Sequence, residues 1–334
     1  MLDIEGVSGV YQAADFIALD RVSKGDWQSI LAAAGEVFGS AAALQQDTSQ
    51  PEEAAPAAWG EVKVLLQMFR GIPMQVRVSS GTEDTRGAMP DRFTQAVMKA
   101  TAHAPSLIKE RKLEELGVRY GELKEVLDTV ITELDAEYDE QKLEDLVKHA
   151  IESSEGVVEA SPETQLSDAE IQQRLQNPDW KIRYAAMQKI QPSLETLPVL
   201  ERLLEDDKSS IRRLAAVYLG DIKEPEALPA LFRALQDPSV AVRRTAGDTL
   251  SDLGDPAAIP AMIEALKDQN KLVRWRAARF LYEAGDDSAI PALKAAEHDP
   301  EFEVRMQIRM ALERIEGGHA AEGSVWQQMT RRNG

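Results

Sequence analysis

The stretch DPSVAVRRTAGDTLSDLGDPAAIPAMIEAL, residues 237–266, decides the fold. Asp237-Pro238 opens a helix in which Val242, Ala246 and Leu250 recur every fourth residue, a spacing that puts all three on one face. Gly254-Asp255-Pro256 ends that helix. Pro260 then falls in the first turn of a second helix, where its missing N–H costs nothing. Ile259, Ile263 and Leu266 give the second helix one apolar face. Two such helices cannot enclose a core alone, so the unit has to stack on copies of itself.

The copies are in the sequence. The pairs Ile182-Arg183, Ile211-Arg212, Val242-Arg243, Val273-Arg274 and Val304-Arg305 recur at steps of 29, 31, 31 and 31. Pro198, Pro229, Pro260 and Pro291 recur every 31 residues, and Leu219, Leu250, Leu281 and Leu312 keep the same step. A period of this size means stacked supersecondary units. An aspartate stands six residues before the arginine in Asp206/Arg212, Asp237/Arg243, Asp268/Arg274 and Asp299/Arg305, and Asn177 holds that place before Arg183. Over 167–316 the unit resembles the HEAT repeat in its short bacterial form, also found in phycobilisome-lyase-like proteins. The resemblance implies that these acid–arginine pairs form a structural ladder between neighbouring repeats. The expected class is therefore mainly α: an α-solenoid of about five HEAT-type repeats preceded by small α/β segments.

Residues 40–60 and 152–166 are small, acidic, proline-bearing and aperiodic, so they read as linkers. They divide the chain into 1–39, 61–151 and 167–316, with 317–334 as a flexible tail. The first segment contains two β-like runs, Gly9–Gln12 and Phe16–Leu19. A helix capped by Asp26 follows, with Trp27, Ile30, Leu31, Ala34 and Phe38 as its stripe. Residues 4–38 resemble the second half of the N-terminal domain of NifU/Nfu-type iron–sulfur scaffolds, matched at Val7, Asp15-Phe16-Ile17 and Asp26-Trp27. Met1 falls in the middle of that domain, so either the start is misassigned or the domain is truncated. The resemblance implies a link to iron–sulfur assembly proteins as partners. The cluster-binding Cys-x-x-Cys pair of that family is absent.

The middle segment predicts a hairpin, Val62–Phe69 and Met74–Ser79, turning at Gly71-Ile72-Pro73. A polar loop over Ser80–Gly87 leads to a helix from Pro90 with Phe93, Val97 and Ala100 on its apolar face. Further helices are expected around Leu123, Leu127 and Ile131 and from Glu140 to Glu152. FRGIPMQVRV (69–78), SSGTEDTRGAMPDRF (79–93) and GVRYGELKEV (117–126), placed before a HEAT array, resemble the bacterial conserved virulence factor C family. That resemblance implies a link to control of virulence-gene output, with no chemistry attached.

Composition narrows the function further. The 334 residues carry 38 basic and 57 acidic side chains, a net charge of −19, which opposes non-specific binding to nucleic acid or anionic membrane. No cysteine is present, which removes thiolate metal sites, disulfides and Cys nucleophiles. The four histidines, His103, His149, His298 and His319, are far apart in sequence, so no metal or cofactor is expected. The di-iron hydroxylases built on HEAT repeats need repeated His-Glu pairs, and there are none here. No apolar run reaches the about 18 residues of a membrane span, and the N-terminus lacks a leader pattern. A cytoplasmic, non-enzymatic interaction protein is the resulting expectation.

Two surfaces are candidates for binding. Arg77, Ser79, Ser80, Thr82, Arg86 and Arg92, with Glu83, gather arginines and hydroxyls around the 79–93 loop, a combination suited to a carboxylate or phosphate. The alternative is a loop pinned by Arg–Glu pairs. On the second helices, Glu201, Arg202, Phe232, Arg233, Ile263, Glu264 and Lys294 share one register. They form either a groove for a protein partner or, at Phe232 and Ile263, packing between stacked helices.

Overall fold

A computed structural model of the chain describes residues 7–13, 16–21, 59–101, 110–152 and 166–319. The chain forms two compact units, Met1–Pro56 and Ala57–Gly334. In the first, β1 (Val7–Ala13) and β2 (Phe16–Arg21) pair antiparallel, each longer than the sequence suggested. The helix expected after Asp26 lies outside the described residues, as do 40–58, 153–165 and the tail beyond His319.

The second unit opens with Trp59 and Gly60, then β3 (Glu61–Phe69) and β4 (Ile72–Ser79). Their turn sits at Arg70-Gly71, both at positive φ, 45° and 79°, which suits the right-handed twist of a tight hairpin. Arg70 accepts that conformation with its side chain buried, donating to the Glu110 carboxylate and the Ala150 carbonyl. β5 (Asp84–Ala88) and β6 (Arg111–Tyr120) complete a four-stranded sheet of order β5-β4-β3-β6. Helices α1 (Asp91–Thr101), α2 (Leu123–Glu137) and α3 (Glu140–Glu152) pack on it. Val62, Val64, Leu66, Val76 and Val78 of the strands and Phe93, Val130 and Leu134 of the helices share its core.

Two strands escaped the sequence reading. The loop expected over 80–87 contains β5, and β6 was not anticipated at all. Both are edge strands. Residues 111–116 of β6 are exposed without alternation, because β6 is held by its backbone pairing to β3 from Glu61–Tyr120 to Phe69–Arg111. Charged residues on an edge also discourage pairing with a further strand.

From Ser167 to Glu316 the chain is mainly helical. Ser167 and Glu170 form a reciprocal capping box on α4 (Asp168–Arg174). α5 (Trp180–Met187) follows, then short and long helices alternate: α6 (Leu197–Leu203), α7 (Ser209–Ile222), α8 (Leu228–Ala234), α9 (Val240–Leu253), α10 (Ile259–Ala265), α11 (Lys271–Ala284), α12 (Ile290–Ala295) and α13 (Phe302–Glu316). The recurring prolines stand in the first turn of each short helix from α6 to α12. Ala215, Ala246 and Ala277 are fully buried, as are Leu219, Leu250 and Leu281. A Cβ on Gly220 would come within 2.2 Å of Thr249, so glycine there sets how closely α9 approaches α7.

The aspartate–arginine repeat forms a continuous ladder. Arg212 donates through Nη1 to the Asp206 carbonyl six residues back, at 2.7 Å, and clasps the Asp237 carboxylate of the next repeat at 2.7 and 3.0 Å. Arg183 holds Asp206, Arg243 holds Asp268 and Arg274 holds Asp299 in the same way. Each aspartate also accepts the backbone N–H two residues on, from Lys208, Ser239, Asn270 or Glu301. Burial disfavours ionised Asp206 and Asp299. The bonds from Arg183 and Arg274 outweigh it and hold both below the usual carboxylate range. Arg305, the last rung among the described residues, donates to the carbonyls of Asp299 and Pro300.

Candidate functional site

Next to the ladder arginines Arg212, Arg243 and Arg274 stands a second residue with a different task. In Arg212-Arg213 and Arg243-Arg244 the first guanidinium joins repeat to repeat, and the second points at the sheet domain. Successive residues on a helix point about 100° apart, so a doublet serves two faces. Arg213 donates to Glu133 of α2 through Nε at 3.0 Å and Nη2 at 2.8 Å, with both side chains 5% exposed. Arg244 donates to Glu125 of α2 at 2.7 Å. One repeat further the same place holds Trp275, edge-on to Trp59 with centroids 6.3 Å apart. Lys271 lies over the Trp59 ring, and a Cβ on Gly60 would sit 2.4 Å from Leu272. Trp59 and Gly60, expected within a linker, are therefore part of this seam.

The seam does not close completely. Between β6 and α2 on one side and α7 and α9 on the other lies a cleft of about 600 Å³. Val118, Val126, Val130 and Val217 supply apolar wall, and Arg119, Arg213 and Arg244 one group of charges. Asp221, Asp248 and Asp252 supply the opposite sign. Arg119 stands 3.8 Å from Glu133, whose two oxygens Arg213 already occupies. Burial and the neighbouring Arg213 push the Arg119 guanidinium down from its usual range. The buried Nε atoms of Arg119 and Arg244 have no hydrogen-bond partner. At the other end, burial and the nearby Asp248 push the Asp252 carboxyl up to about 6. Asp248 is raised too, by burial, although Arg276 stands 2.6 Å away. The Arg276 guanidinium also stacks on the Tyr120 ring.

The residues of the 79–93 loop are not brought together around one point. Arg77 pairs with Asp84 at 2.5 Å, on the exposed side of the hairpin where it faces Arg86 across β4 and β5. Ser79 accepts from the Gly81 N–H, and Ser80 accepts from the Glu83 N–H and lies 3.4 Å from Thr82. Those hydroxyls serve the turn. Arg92 belongs to α1 and bonds Asp135 of α2, which Lys181 of α5 also contacts. Burial opposes ionisation of Asp135, but Lys181 and Arg92 together hold it low.

On the short helices, Phe232 and Ile263 are half-buried against the solenoid core. The charged residues around them are exposed and cross-link along the array: Arg233 to Glu201 at 2.9 Å, Arg202 to Gln172 at 3.2 Å, Lys294 to Glu316 at 2.6 Å, and Glu264 to Lys267. Among the described residues no group of three acidic or histidine side chains is placed to hold a metal ion. No described helix is long and apolar enough to cross a membrane.

The second-position column was readable in the doublets Arg212-Arg213 and Arg243-Arg244, but its partners in α2 carry no periodic signal.

Comparison with known proteins places these parts. The "Virulence factor" family model matches residues 67–147, the sheet domain, and the "HEAT repeats" model matches 169–246 and 228–313. Among solved structures, the CpcE–CpcF complex of the Nostoc phycocyanin lyase is 23% identical over 48% of this chain and 68% of that one, with a TM-score of 0.38. At that score the likeness carries no functional argument. An uncharacterized Bacillus subtilis protein, YpgR, is 54% identical across 99% of this chain and 86% of its own length. Conserved virulence factor C of Staphylococcus aureus strain MRSA252 is 46% identical across 99% of this chain and 88% of its own, and that of Staphylococcus haemolyticus 42% across 100% and 88%. With this identity over nearly its whole length, the chain belongs to the conserved virulence factor C family.

Proposed function

We propose that the chain is a non-enzymatic interaction protein that presents the short-helix face of its HEAT array to a protein partner. The observation that carries this reading is the division of the array's faces. The long-helix face is occupied by the sheet domain through Arg213, Arg244 and Trp275. The short-helix face carries Arg202, Arg233, Glu264 and Lys294 in the open around half-buried Phe232 and Ile263. A small apolar anchor among charges suits a transient protein interface. HEAT repeats serve protein interaction generally, and under this reading any influence on virulence-gene output runs through the captured partner. The non-enzymatic part rests on the 79–93 loop, whose hydroxyls are spent on its own turn.

The test is capture of the natural partner by the full chain. Arg233→Glu combined with Phe232→Ala is expected to weaken capture about tenfold, a loss of about 1.4 kcal/mol, with an unchanged circular dichroism spectrum. Undiminished capture by that variant would remove the short-helix face from consideration.

A further inference from the structure

We propose that the exposed apolar ridge of α13 is a docking site for the chain's own residues 320–334, with Val325, Trp326 and Met329 covering Phe302, Met306 and Met310.

Phe302, Met306 and Met310 follow one another at steps of four along α13, which makes them one ridge on one side of the helix. They are 62%, 49% and 38% exposed. Each stands 31 residues after a position of α11: Lys271, Trp275 and Arg279. In α11, Lys271 and Trp275 meet Trp59, and Arg279 lies over the Trp275 ring. One repeat on, the same face turns from cationic and aromatic to apolar, and among the described residues it stays open. Contiguous exposed apolar side chains of this kind mark a contact surface.

The chain that leaves α13 is delivered to this ridge. The His319 N–H donates to the Arg314 carbonyl and the Gly318 N–H to the Ile315 carbonyl, both at 3.0 Å, with Gly318 at φ 68°. That is a Schellman turn, which doubles the chain back at the end of a helix. Arg314 is the next step of the ridge, four residues beyond Met310. Its buried guanidinium is anchored on the Leu281 and Gly285 carbonyls and donates to the His319 carbonyl at 3.2 Å. His319 is thereby pinned beside the ridge, and residues 320–334 continue from that point.

Reach and composition fit the ridge. From Arg314 back to Phe302 is about 18 Å of helix, and residues 320–329 span up to about 33 Å when extended. The stretch GSVWQQMT, 323–330, carries no charge and holds Val325, Trp326 and Met329. Thioethers pack favourably on aromatic rings, which suits Trp326 to Met306 and Met310. A path back along α13 also brings Arg331-Arg332 towards Glu301 and Glu303 at the start of that helix. The tether holds this segment at an effective concentration on the order of millimolar, which favours it over a second copy or a separate protein on the same face.

The proposal is independent of the short-helix face. The experiment is oxidation of the full chain by dilute hydrogen peroxide, with each methionine sulfoxide followed by mass spectrometry and Met98, 66% exposed on α1, as the internal reference. Met306, Met310 and Met329 are expected to oxidise at about a tenth of the Met98 rate, as on a face covered about nine-tenths of the time. Val325→Ser combined with Trp326→Ser should raise the Met306 and Met310 rates about tenfold and leave Met98 unchanged. Reciprocally, Met306→Glu should release Met329 to oxidise. Oxidation of Met306 and Met310 at the Met98 rate in the unaltered chain would overturn the proposal. So would protection that survives the Val325→Ser, Trp326→Ser variant; if that protection grows with protein concentration, a second copy is the occupant instead.

Discussion

Two neighbouring columns of side chains, one residue apart in sequence, join this molecule in different ways. The ladder column, Arg183, Arg212, Arg243, Arg274, repeats one contact four times: an aspartate of the next repeat and a carbonyl six residues back. From the second repeat on, the seam column, Arg213, Arg244, Trp275, makes three different contacts, with Glu133, Glu125 and Trp59. The first is internal to the array and periodic because both of its sides are periodic. The second joins a periodic surface to an aperiodic one, so each position had to be solved separately. A repeat fold thus fixes the ladder through its sequence period, while the seam depends on where each residue of another domain happens to fall.

Helix α13 extends the contrast. Met306 follows Arg305 in the seam register and, with Phe302, is among the most exposed apolar side chains, 49% and 62%. The forward-facing column Ala216, Gly247, Ala278 becomes Arg309 in α13. The small residues admit a following helix, as Gly247 does where a Cβ would meet Arg276 at 3.3 Å.

The seam is most vulnerable at Glu133. Glu133→Ala leaves the Arg213 guanidinium buried without its carboxylate, and losing one partner of such a pair costs about 3–5 kcal/mol. Urea denaturation should show this loss, and the double variant with Arg213→Met should recover a large part of it. Trp275→Ala should follow at about 3 kcal/mol, from lost burial and the Trp59 contact, by the same measurement. Arg243→Ala, in the ladder, should cost less, about 1–3 kcal/mol, and should leave the near-ultraviolet signal of the sheet domain unchanged.

pH separates the columns in another way. Asp206 and Asp299 of the ladder are depressed when folded. Their stabilising contribution is present above the unfolded carboxylate value of about 3.9 and is lost as pH falls through the lower folded values. Asp252 beside the seam is raised to about 6, so between about pH 4 and 6 the folded state binds the extra proton and stability falls as pH rises. Asp252→Asn should therefore raise the melting temperature at pH 7.5, and that gain should vanish near pH 4. The smallest effect is expected at Lys223, which ends α7 at φ 59° where Gly254 ends α9 at φ 61°. Lys223→Gly should stabilise by about 0.5–1 kcal/mol, since lysine pays a steric cost in that conformation that glycine avoids.

What could be read in the sequence follows the same division. The solenoid, its proline-led short helices and its arginine ladder were legible because each signal occurs four or five times. Strands β5 and β6 were not, because an edge strand such as Arg111-Lys112-Leu113-Glu114 takes its order from backbone pairing and shows no alternation. Arg77 and Arg92 looked like neighbours in one loop, yet strand and helix carry them to different faces. The cleft was invisible because Arg119 and Arg244 lie 125 residues apart, and only docking of the sheet domain brings them together.

The seam column makes the sheet domain and the array one body. Hydrogen–deuterium exchange on Glu133→Ala tests it most directly. Faster amide exchange is expected in α2 (123–137) and in α7 (209–222) together, with α12 and α13 unchanged. Faster exchange confined to α2, with α7 as protected as in the unaltered chain, would contradict it.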